Sequence, residues 1–377
     1  MTVGAPLRVA LFTDTFAPQM NGVARTLARW HTELEKRGHE TVVFTTSAPD
    51  HAETERVRRV RSWPFWAYPE LRLAPPVWRR ARAELERFKP DLIHAATPFG
   101  VGLVGRAAAR DMRVPLVTSY HTSFTQYARH YGLGAVATPG MAYLRWFHNG
   151  GRRTFVPTEA IGAELSGARF RGVALWSRGV DTARFNPGFR DVSMRETTVG
   201  DRGVVVAYVG RLAAEKGVDL AVRAMRDVVR RRPIAAFAAA GDGPDELRCR
   251  KLSPSGSWFA GRLSGDRLSA FYASADIFVF PSTTDTFGNV LVEAMASGLA
   301  VVAADVPQSR EVVGDAAGVF VPARDEQAFA DAIVSLIDDR ARLSAMRRAA
   351  VERAQSRGWD AVFDRLVCDY QAALRSA

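Results

Sequence analysis

Residues 277–298 read IFVFPSTTDTFGNVLVEAMASG, and the order of residue types defines one structural unit. Ile277 to Phe280 is an unbroken apolar run of strand length, the pattern of a parallel strand buried on both faces. Pro281-Ser282-Thr283-Thr284 turns, and Gly288 to Ser297 continues as a helix closed by Gly298. The first turn of such a helix leaves backbone N–H groups without intrahelical partners and carries partial positive charge. Phe287, Gly288, Asn289 and Val290 are therefore placed to face a phosphate. Asp285 and Glu293, eight positions apart, would stand roughly 12 Å apart at similar azimuth on a helix rising about 1.5 Å per residue. A nucleoside diphosphate sugar fits that span, with one carboxylate accepting from sugar hydroxyls, the other from a ribose diol, and the pyrophosphate between them. Taken alone, the two acids are better read as an N-cap and a solvated helix residue.

Upstream the same grammar repeats. Val204 to Val209 is a strand, followed by GRLAAEKG (210–217) and a helix from Val218 to Arg231. Gly210 closes the strand, and Arg211 and Lys216 stand at its end beside a helix N-terminus. Arg211 can fork across two phosphate oxygens while Lys216 acts as a point charge; surface cations are otherwise common and solvated. Ile234 to Ala239 is the next strand and leads to Gly241-Asp242-Gly243-Pro244, a turn at the same edge near a ribose or base. Trp258 to Arg262 follows another short strand, and Arg262 there could be a solvated cation. Beyond Gly298, Ala300 to Ala303 and Gly318 to Val321 read as strands joined by a loop over residues 305–311, and three helices end the chain.

The first half also begins strand, loop, helix. Leu7 to Thr13 is apolar, a loop runs from Asp14 to Gly22, and a helix follows from Val23 to Arg37. Further strands are expected at Thr41 to Thr45, Asp91 to Ala95 and Val114 to Ser119. His94, inside an apolar run, reads as a satisfied core histidine. His121 falls just past the carboxyl end of a strand, the edge where open parallel sheets place their ligands.

TDTFGNVLVEAMASG (284–298) resembles the signature helix of the retaining glycosyltransferases of family 4, which have a GT-B fold. That family usually carries Glu at both ends of the eight-residue spacing, and Asp285 departs from it by one methylene. GRLAAEKG is similar to the family's phosphate-binding segment, PQMNGVARTL (18–27) to its first loop, and SYHTSFTQYARHYG (119–132) to its acceptor-side segment. The resemblance implies that Asn21 and Gly22 reach the distal phosphate and that His121 lines the cleft beside the reacting sugar. It places Tyr127, Arg129, His130 and Tyr131 on the acceptor, Val306 to Ser309 along the donor site, and Trp258 to Arg262 along the base with Arg262 as a contact. Arg178-Gly179-Val180-Asp181 resembles the family's crossing between domains, with Gly179 as hinge. The implied architecture is α/β: a Rossmann-like acceptor domain over residues 1–176, a Rossmann-like nucleotide-sugar domain over 177–357, the two facing a cleft, and a terminal helix over 358–377 returning to the first.

Composition bounds the rest. The 377 residues predict about two domains, and 47% hydrophobic with 24% charged residues is an ordinary globular balance. Cys249 and Cys368, far apart, indicate neither a disulfide framework nor a thiolate metal site. No run approaches 18 apolar residues and the N-terminus lacks a signal-peptide pattern, so a cytoplasmic protein is expected. A net charge of +11 favours an acidic partner. Between Arg56 and Arg87 arginines interleave with Trp63, Phe65, Trp66, Tyr68 and Trp78, a mixture suited to an anionic membrane surface or to a core-packed aromatic cluster beside a solvated helix. No nucleic-acid-binding module is present.

The resemblance implies metal-independent transfer of a hexose, with retention, from a nucleotide sugar to a membrane lipid or glycolipid at the inner face of the plasma membrane. Arg211, Lys216, Asp285 and His121 are the catalytic candidates. No cofactor is expected, and the absence of any Asp-x-Asp pair argues against a manganese-dependent single-domain transferase. The combination of motifs most resembles bacterial mannosyltransferases using GDP-mannose. A UDP-sugar transferred as glucose or sulfoquinovose to diacylglycerol or a polysaccharide is the alternative, followed by a GT-B epimerase that transfers nothing. A basic binding protein without activity would leave Asp285, Glu293 and His121 without a role.

Overall fold

The computed structural model describes residues 5–19, 21–48, 52–65, 68–75, 78–121, 137–199 and 203–375. The chain divides into two compact units, residues 1–177 with 360–377, and residues 178–359. In the first, the strands in chain order are β1 (Arg8–Phe12), β2 (Glu40–Thr46), β3 (Val57–Val60), β4 (Trp63–Phe65), β5 (Tyr68–Leu73), β6 (Leu92–Ala95), β7 (Leu116–Ser119), β8 (Arg153–Val156) and β9 (Val173–Leu175). β4 and β5 form an antiparallel hairpin, and the others a parallel sheet in the order β3-β2-β1-β6-β7-β8-β9. The second unit holds β10 (Val204–Val209), β11 (Ala235–Ala240), β12 (Trp258–Phe259), β13 (Ile277–Phe280), β14 (Ala300–Ala304) and β15 (Gly318–Val321), all parallel, in the order β12-β11-β10-β13-β14-β15.

Both orders have the same logic. The chain starts in the middle, winds two strands to one side, then crosses back and winds to the other. Helices after the two central strands diverge to opposite faces, leaving a crevice at their carboxyl ends. That switch point lies between β1 and β6 in the first unit and between β10 and β13 in the second. Burial on both faces explains why these strands are apolar without alternation. Val204, Val206 and Tyr208 of β10 pack into one core and Val205 and Ala207 into another on the opposite face.

The last helix, Trp359–Arg375, belongs to the first unit. Its Tyr370 hydroxyl accepts from Trp30 Nε1 at 2.8 Å and bonds His94 Nδ1 at 2.6 Å, while His94 Nε2 meets the Ser119 hydroxyl. His94 is fully buried with both ring nitrogens engaged, a core histidine as the sequence indicates. Arg37 fixes the start of the same helix, with Nε 3.0 Å from Asp364 and Nη2 3.1 Å from Asp360. Tyr370→Phe strands the Trp30 N–H in an apolar core and is expected to destabilise the protein by about 2 kcal/mol. A urea midpoint unchanged from wild type would refute the network's contribution.

Three segments depart from the sequence reading. Residues 305–311, expected as a loop, contain most of the helix Pro307–Val313, whose proline sits in the first turn, where its missing N–H leaves no gap. The polar stretch after Pro187 includes the helix Val192–Val199. Gly179, expected as a source of backbone freedom, is not in the left-handed region. A Cβ there would lie 2.7 Å from the Trp359 ring, so the small residue serves close packing.

Candidate active site

In the second unit the sequence candidates fall on loops at the carboxyl edge of the sheet. Gly210 and Arg211 follow β10, Gly241 follows β11, and Ser282, Asp285, Phe287 and Gly288 follow β13. Lys216 Nζ donates to Asp285 Oδ1 at 2.7 Å, joining the β10 and β13 loops across the switch point. Ser282 donates to the other Asp285 oxygen at 2.5 Å, and Thr284 to the Glu215 carbonyl at 3.2 Å. Lys216 and Asp285 keep 20% and 25% of their side-chain surface exposed, so the pair is held in place yet open to solvent.

Arg211 Nη1 lies 3.6 Å from the Glu215 carboxylate. Its backbone carbonyl accepts from Tyr208 at 2.9 Å, and burial pushes the Tyr208 phenol well up, keeping it a donor. Gly241 has φ +137°, and a Cβ there would stand 1.9 Å from the Gly210 carbonyl oxygen. The β10 and β11 loops thus touch through bare backbone. Arg262 pairs with Asp242 at 2.9 Å, both about half exposed, which sets it beside the Gly241 turn.

The helix expected from Gly288 runs instead over Asn289–Ala296. Gly288 is its N-cap in a left-handed conformation (φ +80°), so residues 285–288 are turn rather than helix. The helical ruler that separates Asp285 and Glu293 by roughly 12 Å therefore does not apply, and Asp285 is not the N-cap. Glu293 is not solvated either. It is 4% exposed and accepts from the Tyr272 hydroxyl at 3.1 Å. Phe287 is buried, its ring 5.9 Å from the Arg357 guanidinium, while Asn289 and Val290 remain partly exposed in the first helical turn.

In the first unit, Asn21 caps the helix Gly22–Lys36, accepting from Ala24 N at 2.8 Å, and its amide donates to Thr15 Oγ1 at 2.9 Å. Its side chain is thereby committed to shaping the loop, and Gly22 opens the helix. His121 follows β7 with its ring edge against Trp176, centroids 5.6 Å apart. Tyr127, Arg129, His130 and Tyr131 lie outside the described residues. Sequence reading passed over Asp14. Fully buried at the β1–β6 switch point, its carboxylate accepts from Thr97 Oγ1 at 2.5 Å and from Val101 N at 2.9 Å. Burial raises its pKa against the opposing pull of these bonds. The partners are 83 and 87 positions away, so only an acid directly after an apolar strand marked it.

Residues 20–184 match the glycosyltransferase family 4 domain, and residues 203–339 match glycosyl transferases group 1. The chain is 34% identical over 377 residues to a GDP-mannose-dependent alpha-mannosyltransferase of Mycolicibacterium smegmatis, covering 98% of both. The chain belongs to glycosyltransferase family 4. An alpha-monoglucosyldiacylglycerol synthase of Streptococcus pneumoniae is 29% identical, over 82% of this chain and 74% of that protein. Sucrose-phosphate synthase from Thermosynechococcus elongatus shares the fold, with a TM-score of 0.76 at 19% identity over 98% of this chain and all of the other. The protein is a glycosyltransferase of GT-B type with two Rossmann-like parallel-sheet units.

Proposed function

We propose that this glycosyltransferase moves mannose from GDP-mannose to a membrane lipid or glycolipid, with retention at the anomeric carbon and without a metal ion. The observation that carries the reading is the Lys216–Asp285 bridge across the switch point of the second sheet, 2.7 Å long and accessible to solvent. A nucleoside diphosphate leaving group develops negative charge, and Arg211, Lys216 and the first-turn N–H groups after Gly288 supply compensating charge from fixed positions. Arg211 spans two phosphate oxygens and Lys216 one, while Asp285 orients Lys216 and accepts from a sugar hydroxyl. Glu293, held by Tyr272, accepts from the ribose diol. Gly241 and Arg262 border the base. Within the first unit, the loop shaped by Asn21 and Gly22 serves a phosphate and His121, its ring set against Trp176, a sugar hydroxyl.

The mannosyltransferase relative, aligned over nearly the whole chain, favours guanosine diphosphate as carrier and mannose as cargo. The alpha-monoglucosyldiacylglycerol synthase favours a lipid acceptor and, as second reading, transfer of glucose in place of mannose. Among the described residues no helix is long and apolar enough to cross a membrane. The lipid-acceptor reading puts the enzyme peripherally on the inner face of the plasma membrane. The test is calorimetric titration with GDP, UDP, ADP and their sugar conjugates in EDTA, then mannose transfer to extracted membrane lipids. GDP and GDP-mannose are expected to bind preferentially, chelator notwithstanding. Preference for UDP would replace mannose by a glucosyl-type donor, and binding of none would end the donor assignment.

A further inference from the structure

In a chain with 51 lysines and arginines, many described arginines are paired with acids. Within the basic, aromatic stretch that the sequence marks for a membrane, Arg58 pairs with Glu84 at 3.0 Å, Arg80 with Glu53 at 2.7 Å and Arg82 with Glu86 at 2.8 Å. Arg59 is turned onto the Ala17 and Thr46 carbonyls, and Arg72 onto Ser62. Much of the positive charge that makes this stretch conspicuous is neutralised or engaged within the fold.

Another face of the first unit behaves differently. Arg106 on the helix Gly100–Met112, Arg145 on the helix Ala137–His148 and Arg171 on the loop between the helix Glu159–Gly167 and β9 border one shallow depression with Trp146, Asn149 and Gly150. Among the described residues none of these three guanidinium groups has a carboxylate within ion-pair distance. Arg106 and Arg145 spend single bonds on carbonyls, Phe147 at 3.4 Å and Ala168 at 3.5 Å. Burial and the neighbouring Arg110 charge push Arg106 down from its usual value. The patch is also built. The Arg106 guanidinium stacks on the Trp146 ring at 4.3 Å, and Trp146 remains 52% exposed. Asn149 clamps the loop that carries Arg171, accepting from Arg171 N at 2.8 Å and donating to the Arg169 carbonyl at 3.1 Å.

We infer that this face is where the enzyme docks on an anionic bilayer, with Arg106, Arg145 and Arg171 on lipid phosphates and Trp146 at headgroup depth. Three cations with no carboxylate partner among the described residues have charge to offer a surface, whereas ion-paired arginines would first have to give up a partner. An exposed indole with an apolar body and a polar edge suits the interface, and cation stacking fixes its direction. The inference deepens the lipid-acceptor reading by locating the membrane contact, and it rests on that reading only for the expectation that a membrane is nearby.

The experiment is cosedimentation of the full-length enzyme with vesicles of equal phosphatidylglycerol and phosphatidylcholine, against phosphatidylcholine alone. Wild type should bind the anionic vesicles and be released as salt rises. At roughly fivefold per cation, R106Q/R145Q/R171Q should weaken binding on the order of a hundredfold. R145Q/R171Q leaves the Arg106 contacts in place and should weaken it roughly twenty-fivefold. R80Q/R82Q, which removes paired arginines, should change it less than twofold. Circular dichroism and thermal melting report folding of the variants. Loss of vesicle binding in R80Q/R82Q with retention in folded R145Q/R171Q would overturn the assignment. So would absence of wild-type binding, or a preference for duplex DNA over vesicles that the triple variant abolishes. Intact, patch-dependent vesicle binding without transfer to any extracted lipid would reject the acceptor reading and leave the docking face standing.

Discussion

Lys216→Ala is expected to lower kcat by roughly a hundred- to a thousandfold in a protein that still folds. The magnitude is that of removing one preorganised charge from a site where negative charge develops. Folding should survive because the side chain is partly exposed and its ionic partner Asp285 keeps its Ser282 bond and access to water. The effect should fall on kcat more than on affinity for the intact donor, since the leaving group acquires charge only as the glycosidic bond breaks. Steady-state kinetics beside calorimetric GDP binding separate the two. A folded Lys216→Ala enzyme turning over at the wild-type rate would remove the proposed phosphate clamp.

Gly241→Ala should destabilise the second unit strongly. The new Cβ would stand 1.9 Å from the Gly210 carbonyl oxygen, at a φ of +137° that L side chains rarely adopt. Neither backbone can retreat easily. Gly210 N is bonded to the Ala240 carbonyl at 3.0 Å, and Gly241 N to the Gly261 carbonyl at 2.8 Å. A loss of about 3 kcal/mol is expected, and for a domain of this size a fall in melting temperature of roughly 6–12 °C. Because Gly210 precedes Arg211, donor affinity should fall as well. A variant melting within a degree of wild type would show that the two loops are looser than their contact implies.

What the sequence made legible was local. Runs such as Ile277–Phe280 and Val204–Val209 are apolar throughout because both sheet faces are covered, and GRLAAEKG carries its cations within one loop. What it hid depends on distance or on a single torsion. Nothing near Glu293 announces Tyr272, 21 positions upstream, or that the carboxylate is buried. One left-handed residue, Gly288, moves the helix start and cancels the span estimated from Asp285. The charge pattern is incomplete for a related reason. Arg58 and Arg80 look available until Glu84 and Glu53 are brought against them, whereas Arg106, Arg145 and Arg171 are scattered in sequence and gathered only by the fold.

The hydrogen bond between Trp30 and Tyr370 joins residues 340 positions apart, and this has a consequence for synthesis on the ribosome. Domains generally fold as units while the chain emerges from its N-terminus. Here the second unit, residues 178–359, is complete in sequence before the first, which lacks residues 360–377 until the end. Until then, Trp30 and His94 face a core without the hydroxyl that satisfies them both. The half of the enzyme that is translated first is therefore the half that finishes folding last, and a chain stopped short of Tyr370 carries a finished second unit beside an open first one.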